Sequence, residues 1–224
     1  MEMDKLLVSW SGGKDSALML HELQQTRRYE IAALLTTVTA DYDRVSMHGV
    51  RRALLERQAD ALGLALETVF IAADTSDEAY GARMREVLER YAQVGISAVA
   101  FGDIFLEDVR RYREEKLAQV GMQGLFPLWG RDTAELARAF LDRGFRAVVT
   151  CVDSQALDGA FVGRDFDERF LAQLPPQVDP CGENGAFHSF VYNGPIFQQP
   201  VPYVKGEVVV RENRFYYCDL VPAT

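Results

Sequence analysis

The residues best placed to do chemistry begin at position 11, where S-G-G-K-D-S (11–16) interrupts two apolar runs. Adjacent glycines let a backbone turn sharply and let oxygen atoms approach its N–H groups. If 5–10 is a strand and 14–25 a helix, 11–16 is the turn between them. The first helical turn then offers unpaired N–H donors and a partial positive charge, worth ~0.3–1 kcal/mol per exposed anion. Ser11 and Ser16 add hydroxyls, and Lys14 adds a full charge where it turns inward. Such a set suits a compact dianion such as pyrophosphate. The competing reading is a serine-capped helix behind a glycine turn. The common phosphate loop G-x-x-x-x-G-K-[ST] is absent, since Val8 stands where Gly is needed and Asp15 where Ser or Thr is needed.

Other polar residues wait on this loop. Asp103, in F-G-D-I just past a strand pattern, is either a metal or loop ligand or a solvated turn carboxylate. The stretch C-G-E-N-G-A-F-H-S-F-V-Y-N-G-P-I-F (181–197) sets Glu183, Asn184 and His188 among glycines, ahead of a strand. It reads as a substrate rim or as a plain turn. His48 and Arg51, in S-M-H-G-V-R (46–51), bind an anion or open a helix. Glu107 and Arg110, one helical turn apart, either pair with each other or line the cleft. Three dispersed cysteines, Cys151, Cys181 and Cys218, form no C-x-x-C pair and read as buried thiols in a reducing compartment.

The elements that must position these groups alternate. Strand patterns at 5–10, 31–38, 66–71 and 98–102 are separated by helical patterns at 14–25, 49–62 and 77–94. Short apolar strands between helices predict an α/β fold with a parallel sheet and ligands beyond the strand C-terminal ends. Past 106 the pattern shifts: helices at 107–120, 133–143 and 165–174, a strand at 147–152, and strands at 187–192, 207–211 and 215–221 that suit an antiparallel addition. The expected division is 1–122 for the loop-bearing domain and 123–224 for a smaller α+β domain.

Composition narrows the function. With 33 acidic against 24 basic side chains the net charge is −9, which disfavours a broad nucleic-acid surface. No apolar run reaches the ~20 residues that span a bilayer, and the N-terminus lacks a signal-peptide pattern, so the expectation is a cytoplasmic protein without membrane partners.

S-G-G-K-D-S after an N-terminal strand resembles the PP-loop of the ATP pyrophosphatase superfamily, whose fold is Rossmann-like (HUP-type). That resemblance implies that the loop grips the β- and γ-phosphates of ATP while an acceptor is adenylated and pyrophosphate departs with Mg²⁺. It implies ATP contacts at Ser9, Ser11, Gly12, Gly13, Lys14, Asp15, Ser16, Gly102 and Asp103, with adenine near Thr36 and Thr37, and Mg²⁺ near Asp15 and Asp103. Further stretches, S-M-H-G-V-R, G-D-I-F-L-E-D-V-R (102–110), P-L-W (127–129) and 181–197, resemble the diphthine–ammonia ligase-like branch. The branch implies amide synthesis, in which a carboxylate is adenylated and ammonia attacks it. Lys14, Asp15, Glu183 and His188 are then the catalytic candidates. His48, Arg51, Glu107, Arg110, Glu183, Asn184, His188 and Ser189 become the substrate-binding ones. The acceptor is a protein side chain or a corrinoid-like molecule, and a homodimer through the C-terminal strands is open.

Two departures from the branch matter. Its diphthamide enzymes read E-G-G-E-x-E-[ST], whereas 183–189 here is E-N-G-A-F-H-S. His188 in place of an acid is typical of a bacterial subgroup suggested to act in cobalamin salvage, and Ala186 lacks even that subgroup's usual Glu. A changed acceptor, reduced activity or an altered residue at 186 would each account for it. A nucleotide-binding sensor without turnover is the rival reading, and a tRNA-modifying sulfur transferase is a further one, disfavoured by the missing C-x-x-C.

Overall fold

The structure is a computed structural model that describes residues 3–46 and 48–223; Met47 of the S-M-H-G-V-R stretch, Met1, Glu2 and Thr224 lie outside the described residues. Its first half comprises β1 (Asp4–Ser9), α1 (Lys14–Thr26), β2 (Tyr29–Thr39), β3 (Arg44–Val45), α2 (Arg52–Leu62), β4 (Leu66–Ile71), α3 (Asp77–Gln93), β5 (Ala98–Ala100), α4 (Glu107–Ala118) and β6 (Gln123–Leu125). Five strands run parallel in the order β4-β2-β1-β5-β6, and β3 hooks antiparallel onto the end of β2.

Alternation along β1 explains how its continuous apolar run is used. Leu6 and Val8 face a core shared with α1 and α2, while Leu7 faces a second core with Ala33, Leu35, Val99, Leu88 of α3 and Leu117 of α4. A parallel strand covered on both faces has no polar side, so its sequence reads as unbroken hydrophobics. The chain winds outward from β1 through β2 to β4, then returns to β5 and β6 on the opposite side. That reversal opens a crevice beyond the C-terminal ends of β1 and β5, where the glycine loop and Gly102-Asp103 emerge.

The second half comprises α5 (Thr133–Asp142), β7 (Arg146–Asp153), a 3-10 turn at Gly159–Phe161, β8 (Asp165–Phe166), α6 (Glu168–Gln173), β9 (Phe187–Asn193), β10 (Tyr203–Arg211) and β11 (Phe215–Pro222). Its sheet is antiparallel: β9 lies along one edge of β7, β8 and β11 share the other, and β10 pairs outside β11. The larger core is continuous across both halves, joining Trp10, Leu18 and Leu54 to Phe140, Phe187 and Phe190.

Several boundaries differ from the sequence expectation for local reasons. β6 joins the first sheet, so that sheet reaches Leu125, three residues past the expected division at 122/123. The helix expected over 165–174 is shorter, because Phe166 is buried in β8 against Ala147 and Asp167 then caps α6 by accepting from Phe170 N. β10 starts at Tyr203, four residues early, carried across a bulge between Lys205 and Val208. The two-residue β3 and β8 and the three-residue β6 are too short for a periodic signal. Among the described residues, no helix is long and apolar enough to cross a membrane.

Candidate functional site

The glycine loop is held from behind by the second half of the chain. Gly12 sits in the left-handed region at φ 77°, and a Cβ there would come within 2.7 Å of Gln58 Oε1. Its carbonyl accepts from Val191 N of β9 at 2.9 Å and from Gln58 Nε2 at 3.0 Å. Gln58, fully buried on α2, also accepts from Trp10 Nε1 and donates to the Val191 carbonyl. One amide thus joins β1, the loop and β9. On the other side Lys14 N donates to Ser189 Oγ at 3.2 Å, and Ser16 Oγ donates to the Gly13 carbonyl at 2.9 Å.

Lys14 itself points inward. Its side chain is 4% exposed; Nζ contacts both Asp15 carboxylate oxygens at 2.7 and 2.8 Å, donates to the Cys181 carbonyl, and lies 5.6 Å from the Phe187 ring centroid. Burial works against the ammonium, but Asp15 and the neighbouring acids outweigh it and hold Lys14 above its ordinary value. For Asp15 burial is the largest influence and lifts the carboxyl despite Lys14.

Two further acids face the same cavity, of about 180 Å³. Asp103 sits 2.7 Å from Arg113 Nε, an ion-pair contact misaligned for a hydrogen bond, and accepts from Arg113 Nη2 at 3.2 Å. Glu183 Oε1 accepts from Ile104 N at 2.7 Å, which ties the 181–189 stretch to the end of β5. Burial raises both acids, and Asp15 adds to each rise; Arg113 opposes it at Asp103, the Ile104 amide at Glu183.

His48 and His188 meet across the loop, ring centroids 4.3 Å apart. Burial followed by Lys14 lowers His188 to about 4, and burial, His188 and Lys14 lower His48 well below its ordinary value. Both are neutral imidazoles at neutral pH, each able to take a proton. Burial pushes the Cys181 thiol up to about 12 and the Cys151 thiol up to about 11, away from the reactive thiolate form.

A larger cavity of about 650 Å³ opens beside the loop, lined by Leu35, Thr36, Thr37, Ile71, Met84, Leu88 and Val99 among others. Ser9, Ser11, His48, Phe101 and Arg113 line both cavities, so the two adjoin along a shared wall. Thr36 Oγ1 is buried without a hydrogen-bond partner. An apolar chamber with an orphaned hydroxyl, joined to a glycine loop at a helix N-terminus, fits a nucleotide. A metal fits less fully. Among the described residues no three His, Cys, Asp or Glu groups are placed to hold one, and Asp15 and Asp103 are each already paired with a cation. Two carboxylates do match the number Mg²⁺ takes when phosphates complete its shell.

The structure thus brings together Ser9, Ser11, Gly13, Lys14, Asp15, Ser16, His48, Gly102, Asp103, Glu183, His188 and Ser189 around one cavity, and Thr36 and Thr37 around the other. Gly102 has a packing reason as well: a Cβ there would meet the Asp15 backbone at 2.9 Å. Four expected substrate residues line neither cavity. Arg51 forms a two-pronged pair with Asp219 at 2.7 and 3.0 Å. Arg110 pairs with Glu114, not Glu107, and lies 4.7 Å from the Phe126 and Trp129 ring centroids. Glu107 and Asn184 are exposed. Ala186 is buried in the shared core, its carbonyl accepting from Asp153 N. Sequence reasoning passed over Gln58 and Arg113. Gln58 carried a signal, a polar residue on the apolar Leu54-Leu55-Ala59-Leu62 face; Arg113, inside a charged helix, carried none.

Residues 4–124 match the diphthamide synthase N-terminal domain and residues 132–219 the diphthamide synthase C-terminal domain. The zebrafish (Danio rerio) diphthine–ammonia ligase is 26% identical over 225 residues, covering 91% of this chain and 88% of that protein. The human enzyme of the same name is 29% identical over 133 residues, covering 57% of this chain. The bovine (Bos taurus) one is 28% identical over 132 residues, covering 56% of this chain. The matched part is about half the length of the human and bovine proteins, 48% of each. Among solved structures, the U34-tRNA thiolase of Methanococcus maripaludis with its 4Fe-4S cluster is similar at 16% identity and a TM-score of 0.41, over 62% of this chain and 56% of that one. With both domain matches in sequence order along nearly all of its length, the chain belongs to the diphthamide synthase family.

Proposed function

We propose that the protein is an ATP-dependent ligase that adenylates a carboxylate, releasing pyrophosphate, and lets ammonia displace AMP to form an amide. The observation that carries this reading is that the two cavities adjoin, with Ser9, Ser11, His48, Phe101 and Arg113 lining both. A nucleoside in the larger cavity, against Thr36 and Thr37, has its phosphates directed to the loop and the α-phosphate toward the acids and imidazoles. The relatives named diphthine–ammonia ligase support the same chemistry. Holding acceptor, nucleotide and ammonia in one enclosed place supplies much of the acceleration. Lys14 keeps the loop shaped, the backbone and hydroxyls of 11–16 bind phosphate oxygens, and neutral His188 or His48 takes the proton shed as ammonia becomes an amide nitrogen. Mg²⁺ is proposed only as a companion of the nucleotide, facing Asp15 and Asp103. The acceptor is a carboxylate on a modified protein side chain or on a corrinoid-like molecule.

The test is product analysis with ATP, ammonium and each acceptor class in turn. AMP and pyrophosphate, formed only when a suitable acceptor is present, support the proposal; ADP and phosphate as the sole products overturn it. Replacing Thr36 by Val removes one hydroxyl at nearly constant volume and should weaken ATP binding about fivefold, read by calorimetry. A non-catalytic nucleotide-binding role has one observation in its favour, the burial of Ala186 away from both cavities. Unchanged ATP affinity with no AMP from either acceptor class would select it.

A further inference from the structure

β10 is the outer strand of the second sheet, and one half of it carries neither bulge nor proline. Natural edge strands are protected by bulges, charges or prolines, because alternate N–H and C=O groups point outward and invite another strand. Here the bulge between Lys205 and Val208 disrupts the first half, whereas Val208–Arg211 runs in regular register against Cys218–Phe215. Val208 and Val210, on one face, are 53% and 43% exposed. Glu207 and Arg211 are exposed and, among the described residues, have no ion-pair partner.

The segment E-V-V-V-R (207–211) is complementary to itself when reversed. We propose that a second copy of this chain docks on this edge, the two segments running antiparallel about a two-fold axis at Val209. In that register Glu207 of each copy stands opposite Arg211 of the other, and Val208 stands opposite Val210 on the same face. Two charge pairs and two apolar pairs arise from one surface, as an isologous contact requires. A parallel arrangement would set Glu against Glu and Arg against Arg, so charge selects the antiparallel one. The sheet becomes continuous across the dimer, the edge backbone groups are paired, and the exposed valines are covered. Strand-edge contact buries little area, which puts it among the small, reversible interfaces. The inference is independent of the chemistry proposed above.

Sedimentation velocity across the micromolar range tests it. Wild type should pass from monomer to dimer; a chain that stays monomeric overturns the proposal. Glu207→Arg puts like charges opposite each other twice and should weaken the dimer by about tenfold or more. Combining Glu207→Arg with Arg211→Glu restores opposite charges in the same register and should recover wild-type association. A dimer indifferent to Glu207→Arg, or a double variant that does not recover, overturns this surface. Near-UV circular dichroism of both variants should match wild type, because both side chains are exposed.

Discussion

Two groups of carboxylates in this molecule lie beside cationic side chains, yet they are held in opposite directions. On the flank of the second sheet, the hydrogen bond from Arg51, helped by Arg44, lowers Asp219 to about 2, and Arg214 lowers Asp153. In the cavity, Asp15, Asp103 and Glu183 all rise, because burial outweighs Lys14 and Arg113. The flank carboxylates are themselves little exposed, 10% for the Asp153 side chain and 16% for Asp219, but each is gripped by an oriented guanidinium fork whose hydrogen bonds outweigh burial. The cavity acids have no aligned fork: Asp15 meets a lysine, Arg113 Nε is misaligned on Asp103, Glu183 accepts from a backbone amide, and the acids crowd one another. Carboxyls held above their ordinary value and gathered in a cleft beside a glycine loop are the physical mark of a candidate functional site.

That contrast can be broken at several points. The largest effect is expected from Lys14→Met, which leaves Asp15 without its cation in a buried setting and should cost about 3–5 kcal/mol in urea unfolding. A loss below about 1 kcal/mol would mean the pair behaves like a surface salt bridge. Next comes pH. The unfolded chain binds protons at His48 and His188 below the ordinary value of 6.5, while folded His188 waits until about 4. Stability present at neutral pH is therefore lost as pH falls through that window, by at most about 1.4 kcal/mol per pH unit for each histidine. His188→Gln should reduce that slope by about half; an unchanged slope would place the proton uptake elsewhere.

Smaller effects sharpen the contrast between flank and cavity. Asp219→Asn removes a carboxylate whose lowered value stabilises the fold above its ordinary 3.8 and whose contribution is lost as pH drops through about 2. It should cost about 1 kcal/mol at neutral pH, screened by the exposure of Arg51. Glu183→Gln should do the reverse. A raised acid helps stability below its ordinary 4.5 and loses that contribution as pH rises through the folded value, so at neutral pH its charge is a cost. Glutamine keeps an oxygen for Ile104 N, and stability should hold or rise by less than about 1 kcal/mol while AMP release falls about a hundredfold. If Glu183→Gln destabilises as Asp219→Asn does, the two acids belong to one class and the contrast fails.

Much of the architecture was legible in the residues. The strand and helix patterns through Ala118 lie close to the observed elements because each is local: an apolar run covered on both faces, or a stripe at helical spacing, shows itself within about ten residues. The loop was legible for the same reason, since its glycines, hydroxyls and lysine are contiguous. Arg51, Arg110 and Ala186 were not. A motif reports that residues lie near one another in sequence, not which way each side chain leaves the backbone, and these three turn toward Asp219, two aromatic rings and the core.

By itself, then, the sequence determined the parallel sheet, the position of its turn at 11–16, and the polar stretch at 183–189 as something to be placed. Only the tertiary structure decided that β9 backs the loop through Gln58 and Val191, that Glu183 reaches the end of β5, and that the tilted rings of His48 and His188 meet near Lys14. Those contacts join residues far apart in the chain, 79 positions for Ile104 and Glu183 and 133 for Gln58 and Val191, and their energies come from burial shared across both halves, which no local pattern records.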